Sequence, residues 1–400
     1  MFDAFDAFEV YEVKSKYYSI SIEKSRIKNV SEEIENGYGV RVIKDGKLAF
    51  SSATNLDKSL VERLEKLVRI SEDELDSFPS VGKRSVGGLY DKRLEENPLE
   101  VLKESFETIE AERSCEIASG IIEIEVLERR VRNDSGEVSE KATFFAVTLE
   151  AVHERGSAYE FDASRRADLD LEKLTEKVCS LAVDDSKAKK AERKVCDVAL
   201  SPLAFHQLLY FSFYPSFNAE NVVKGRSVLT GRKGERIIEK ITIYDDPTLE
   251  GKLFSYSFDD EGVKAKRKTL LEDGILKEFL CDFKHSKILG EKAGNAFRED
   301  FDSLPKIHPS NVVVDVEKGS FEADFYVHSF IGAHTSNPVS GDFSLECMNS
   351  YQNGEPVRGA MLYGNVFELL KKVSCMSKNV RQVENTICGD VLFENVEVKA

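Results

Sequence analysis

The 400-residue chain has no apolar run long enough to cross a bilayer. Its opening, MFDAFDAFEV, has neither the basic start nor the apolar core of a secretory signal. Neither a membrane span nor export is therefore expected. A disulfide framework is missing too: seven cysteines, an odd number without paired spacing, do not describe a stapled secreted scaffold. A reducing, cytoplasmic setting fits that pattern. Positive charge is in deficit, with 56 Lys and Arg against 72 Asp and Glu and a net charge of −16 at pH 7. That balance opposes any partner whose affinity comes from neutralised phosphates, so direct nucleic-acid contact is not expected. The short basic runs Lys187–Lys194 and Lys264–Lys268 are flanked by acids and read as solvated faces. Glutamine is scarce while Glu and Lys abound, a bias shared by some heat-adapted proteins. No short-period repeat is visible, which excludes solenoid architectures.

What is present suits two domains, because 400 residues exceed the size at which a single core usually keeps growing. In the first half, Tyr17–Ile22 favours a strand, and GVRVI (Gly39–Ile43) leads through Lys44, Asp45 and Gly46 into KLAFSS, a β-hairpin. Leu60, Val61, Leu64, Leu67 and Val68 then recur at helical spacing, with Asn55 or Asp57 as cap. A second helix is expected from Asn97 and Pro98, burying Leu99, Leu102, Phe106 and Ile109. Two long strands joined near Asn133–Gly136 follow, and then a helix with Leu171, Leu174, Val178 and Leu181 on its inner face. Its charged tail, residues 184–194, is the expected boundary between an N-terminal α+β domain with an antiparallel sheet (1–190) and a mostly β C-terminal domain with a few helices (195–400). The second half opens with a strand at CDVALSP and a buried helix over Phe205–Phe213. Short strands and Gly-containing turns fill the remainder, interrupted by helices at Phe283–Leu289 and Val366–Val373.

A water-activating metal site needs about three protein ligands and a base. The six histidines, His153, His206, His285, His308, His328 and His334, begin no His-Glu-x-x-His or His-Glu-x-x-x-His pattern. His153 is followed by Glu154, but Arg155-Gly156 then suits a turn after a strand. Asp259-Asp260-Glu261-Gly262 holds three carboxylates in a row, which a hard cation would accept only if a turn brought them to one side. A structural part, capping backbone amides or meeting Arg298 across the fold, suits these acids better.

Several separated segments, in order, resemble the TldD/PmbA family: ENGYGVRVIKDGKLAFSSAT near the start, Asp-Asp-Glu-Gly through Asn-Ala-Phe-Arg in the middle, and PSNVVVDVEKG with SGDFSLECMNSYQNGEPVRGAMLYGN toward the end. The family, whose older label is modulator of DNA gyrase, pairs a zinc-bearing peptidase subunit (TldD) with a companion (TldE, or PmbA). Where the resemblance places His-Glu-x-x-x-His, this chain has His206, Gln207, Leu208, Leu209, Tyr210 and Phe211. Gln207 cannot act as a base and Phe211 cannot ligate a metal. Cys388, which precedes a glycine as a third ligand does in the zinc subunit, has no histidine pair to join. The resemblance thus implies the companion type, with no metal or other cofactor in this chain, no catalytic residue, and zinc in a TldD-like partner. It implies a two-domain α+β fold and a share in cleaving unstructured peptides through interface and peptide-binding surface, the chain being inactive alone. Ser340, Gly341, Phe343 and Ser344 are the expected peptide-binding sheet edge. Asp259, Asp260, Glu261, Gly262, Gly294, Asn295 and Arg298 form the family pattern with structural roles, and the first helix usual in the family is trimmed here. The alternative is a homodimeric peptide-binding scaffold with no proteolytic role.

Overall fold

The structure, a computed structural model, describes residues 1–400. Its first half contains β1 (Ala7–Glu23), β2 (Arg26–Lys44), β3 (Lys47–Ala53), α1 (Lys58–Ile70), α2 (Lys92–Glu96), α3 (Pro98–Glu112), β4 (Glu116–Asn133), β5 (Gly136–His153), β6 (Gly156–Ser164) and α4 (Leu171–Lys187). The strands form one sheet in the order β3-β2-β1-β4-β5-β6, antiparallel throughout.

Alternation gives this sheet two faces. On β1, Val10, Tyr18, Ile20 and Ile22 turn toward the helices, while Tyr11 and Val13 turn the other way. On β4, Ile122 and Ile124 join the core under α3 and α4, and the intervening Glu123 and Glu125 project to the opposite side, as the run GIIEIEVLERRVR requires. Asp57 Oδ1 accepts from Leu60 N at 3.1 Å to start α1, and Leu60, Leu64 and Val68 then pack on β2 and β3. Full burial of each such aliphatic side chain contributes about 1.5–3 kcal/mol. At α3 the proline supplies the start, since Asn97 makes no side-chain cap. Inside this core the thiol of Cys115 meets Cys179 at 2.8 Å.

The charged tail expected as the domain boundary keeps its lysines exposed but is tied to the second half. Helix α4 continues to Lys187, and its last turn docks on the second half: Tyr351 Oη donates to Asp184 at 2.8 Å, and Arg358 contacts Asp185. The following β7 (Lys189–Lys190) pairs in parallel with Glu355–Arg358. Partners distant in sequence thus hold a segment whose composition reads as linker.

The second half begins with β8 (Lys194–Leu200) and α5 (Pro202–Ser212). β8 lies inside a seven-stranded sheet, between Val391–Val398 and Phe325–Val327. A six-stranded sheet contains Thr242–Asp245, Lys268–Glu272, Val312–Asp315 and Thr386–Cys388, and a three-stranded sheet has Asp342–Met348 at its centre. One apolar core of 49 buried residues joins these layers to α5, enough to make this half a single body. The whole is a two-domain α+β fold.

The halves are locked together by buried charge. Arg41 of β2 donates to Glu9 of β1 at 2.6 and 2.9 Å and to Glu261 of the second half at 2.9 Å. Arg298 reaches back to Glu9 at 3.0 Å, and Arg129 of β4 binds Asp260 at 2.6 Å, Glu140 of β5 at 2.9 Å and the Phe258 carbonyl at 2.7 Å. All of these charged side chains are buried. Burial alone would lower Arg41 and Arg129, yet Glu9 and Glu261 around the first, and Glu140 and Asp260 around the second, raise both above the ordinary arginine value. Close backbone approach makes the joint possible: a Cβ on Gly37 of β2 would lie 2.3 Å from the Phe301 ring, and one on Gly39 would lie 2.3 Å from the Phe301 carbonyl oxygen.

Glu9→Ala would leave Arg298 without a carboxylate and Arg41 with one of its two. Denaturant unfolding should register a loss of about 3–5 kcal/mol, against less than about 1 kcal/mol for Glu96→Ala in the exposed Lys92–Glu96 pair.

Candidate functional site: a trough between the halves

Ser201 caps α5, accepting from Ala204 N at 3.1 Å, and Pro202 occupies the first turn where no amide hydrogen is needed. The helix is buried on most sides through Leu203, Ala204, Phe205, Leu208 and Leu209. Its remaining face carries His206 and, one turn on, Tyr210 with Phe211. His206 Nδ1 lies 2.9 Å from Thr386 Oγ1, which also meets Tyr214 Oη at 2.6 Å. Burial draws the imidazole down to about 4, so it is neutral at physiological pH. Gln207 turns away, its Oε1 accepting from Phe330 N at 2.7 Å.

These side chains border a cavity of about 540 Å³ whose other walls include Phe254, Phe297, His308 and Glu384. Tyr210, Phe211, His308 and Pro309 also border a second cavity of about 280 Å³ that continues toward His334 and Pro338. Phe254 and Glu384 are shared with a third, of about 240 Å³, floored by Tyr17, Glu123 and Phe144 of the N-terminal sheet. A fourth, of about 320 Å³, meets the first at Phe254, Phe297 and Arg298. Together they make a trough between the solvent-side face of the first sheet and the loops of the second half. Its centre is aromatic: the Tyr210 ring is 5.4 Å from His206, 6.2 Å from His308 and edge-on to Phe211 at 5.1 Å.

The donor set does not fit a zinc centre. Gln207 and Phe211 offer no ligand, His206 is engaged with Thr386, and no three His, Cys, Asp or Glu residues converge to hold a metal ion. Cys388 is fully buried, and its thiol is raised by that burial. His153 ends β5, followed by a turn with Glu154 at φ +51°.

The acidic run sits beside the trough as the joint already described. Asp259 Oδ1 accepts from Glu261 N and Val263 N at 3.1 and 2.9 Å, and its Oδ2 accepts from Ala296 N at 3.1 Å. Asp260 accepts from Arg298 N at 2.8 Å and Glu261 from Phe283 N at 2.7 Å. Gly262 provides the turn at φ +77°. Burial raises the Asp259 carboxyl well above its usual range, with Glu261 adding to the push. Tyr256 Oη donates to the Gly294 carbonyl at 2.6 Å, and Asn295 takes the Lys268 ammonium at 2.5 Å while donating to Asp245 at 2.8 Å.

Ser340, Gly341, Phe343 and Ser344 lie elsewhere. Asp342–Glu346 is paired along one side with Met361–Asn365, and from Glu346 on the other side is taken by Ser329–Ile331. The free edge is thus cut to Phe343–Leu345, and Phe343 is itself buried in the core. Gly341 turns back on Val366, and the Ser340 hydroxyl serves Asp342 at 2.6 Å. None of the four borders the trough. The trough residues missed by sequence reasoning, Tyr210, Phe254, Phe297, His308 and Glu384, come from four separate segments and carry no shared motif. Only the polar alternation of β4 marked its floor.

Fold and trough define a two-domain α+β protein with a chamber at the domain joint. Residues 193–400 match the PmbA/TldA metallopeptidase C-terminal domain, and residues 8–73 match PmbA/TldA metallopeptidase domain 1. An uncharacterized protein of Methanocaldococcus jannaschii is 34% identical over 96% of this chain and 95% of its own length. A metalloprotease of the same organism is 23% identical over 90% of this chain and 87% of its own length. The crystal structure of TldE from Thermococcus kodakarensis superposes with a TM-score of 0.90 at 27% identity, covering 99% of this chain and 97% of that one. The chain belongs to the PmbA/TldD family.

A histidine neutral in the fold but free to protonate once unfolded withdraws stability as pH falls from about 6.5 toward 4. Urea melts across that window should show His206→Gln losing less stability on acidification than the parent, by up to about 3 kcal/mol.

Proposed function

We propose that this chain is the non-zinc, TldE-like subunit of a TldD/TldE-type metallopeptidase complex that handles unstructured peptides. The observation that carries this reading is α5. Gln207 is turned into the fold as a backbone tie and Phe211 faces the trough, so the helix presents an aromatic wall where a metal-bearing relative would present ligands and a base. The trough then receives extended peptide, Tyr210, Phe211, Phe254 and Phe297 packing its side chains. A TldD-like partner supplies zinc and the water-activating carboxylate. No helix is long and apolar enough to cross a membrane, so nothing in the helices ties this work to a bilayer.

A joining surface is available for such a partner. β3 covers β2 only along Tyr38–Lys44, which leaves the backbone edge of Arg26–Asn36 unpaired. Along it Ile27, Val30 and Ile34 are 44%, 51% and 61% exposed. A long edge with aliphatic side chains favours pairing with another strand. The same edge could meet a second copy of this chain, which is the homodimeric scaffold reading.

The test is peptide cleavage with metal analysis, alone and mixed with a His-Glu-x-x-x-His-bearing partner. The expected result is turnover only in the mixture, with Tyr210→Ala lowering the mixture's kcat/KM about tenfold or more, while the chain alone holds no stoichiometric zinc. Zinc-dependent turnover by the isolated chain, or failure to form any mixed complex by light scattering, would overturn the reading.

A further inference from the structure

Arg165 follows β6 and is 4% exposed, with its guanidinium stacked 3.9 Å from the centre of the Phe144 ring. One nitrogen, Nη2, donates to the Ser255 carbonyl at 2.8 Å. Nε and Nη1 have no acceptor in the protein. Its backbone is fixed as well, because the Thr143 hydroxyl donates to the Arg165 carbonyl at 2.7 Å. The other buried arginines each have a carboxylate: Glu9 for Arg41 and Arg298, Asp260 and Glu140 for Arg129. Arg165 forms no such pair. A buried guanidinium with no carboxylate hydrogen-bonded to it, only Glu140 and Glu125 at longer range, is costly, and structures rarely keep one without use.

Arg165 borders the 320 Å³ arm of the trough, and Arg298, whose Nε also lacks an acceptor, borders the same arm. Most carboxylates on that arm, Glu35 apart, are engaged with other groups. Glu125 accepts from Ser15 Oγ at 2.9 Å, Glu140 and Asp260 hold Arg129, and Asp300 accepts from Phe301 N at 2.5 Å. Burial raises Glu125, while Arg129 holds Glu140 below its usual range against the cost of its own burial. Burial also draws Arg165 down to about 9, with Glu140 opposing, which leaves it cationic at neutral pH.

We infer that Arg165 is a carboxylate-recognition residue, receiving a carboxylate of the peptide that lies in the trough, with Arg298 as the second cation of the subsite. This rests on the trough being a peptide site. A charge-assisted hydrogen bond inside a cavity discriminates strongly between an acid and its neutral amide. It gives the chamber a polar anchor beside the aromatic wall.

Titration calorimetry on the full chain would use three N-acetylated pentapeptides of the sequence Ala-Phe-Ala-Phe-Ala: the free acid, the C-terminal amide, and the amide with the central Ala replaced by Asp. The free acid or the Asp peptide should bind tenfold or more tighter than the plain amide, and which one does so identifies the source of the carboxylate. Arg165→Met should abolish that advantage while leaving amide affinity and melting temperature at or above those of the parent. Equal affinity of all three peptides for the parent overturns the inference and leaves the trough standing. Equal loss of every peptide in Arg165→Met, with a lower melting temperature, also overturns it by making Arg165 a fold residue. If none binds, the trough reading falls and the inference with it.

Discussion

The joint between Asp260, Glu261 and the arginines of the first sheet is the constraint on which the rest of this molecule depends. Glu9 and Arg298 are 289 residues apart in sequence and both fully buried. An ion pair in that setting gains little net energy over apolar packing, because desolvation offsets most of the attraction. It does fix geometry: each guanidinium donates to its carboxylates only in one orientation. The two halves are therefore set at one spacing, and that spacing leaves room between them.

The chamber in turn explains two features that would otherwise read as defects. Strands β4 and β5 carry Glu123, Glu125, Glu140 and Phe144 on a sheet face that packs on no helix. Helix α5, buried almost throughout, exposes a tyrosine and a phenylalanine together. Each makes sense as one wall of a shared space, polar below and aromatic above. On the peptide reading proposed above, the backbone of an extended chain would find polar partners below and its side chains apolar ones above.

Much of this was legible in the sequence where the signal is local. Alternation in GIIEIEVLERRVR places β4 and both its faces, and the apolar run from Phe205 places α5 and so His206, Gln207 and Phe211, although the helix itself begins earlier, at Pro202. The acidic trio reads locally too, since Gly262 permits the turn that directs Asp259 to backbone amides and its neighbours to arginines. What stayed hidden is long-range. Ser340–Ser344 has a strand's composition, but composition does not say which strands flank it, and the neighbours occupy most of its edges. The charged segment 184–194 reads as a domain boundary, and composition alone does not show that its first residues dock on Tyr351 and Arg358, more than 150 residues away. Arg165 looks like any surface arginine, followed by another, until Phe144 and Ser255 enclose it.

The charged joint also has a thermal consequence. The cost of stripping water from ions falls as temperature rises, whereas apolar burial gains nothing comparable. On heating, the seam between the halves therefore gains relative to the aliphatic packing within each of them, whose contribution levels off. The two domains should melt as one body instead of drifting apart first, and the gap they enclose keeps its width up to the point of collapse.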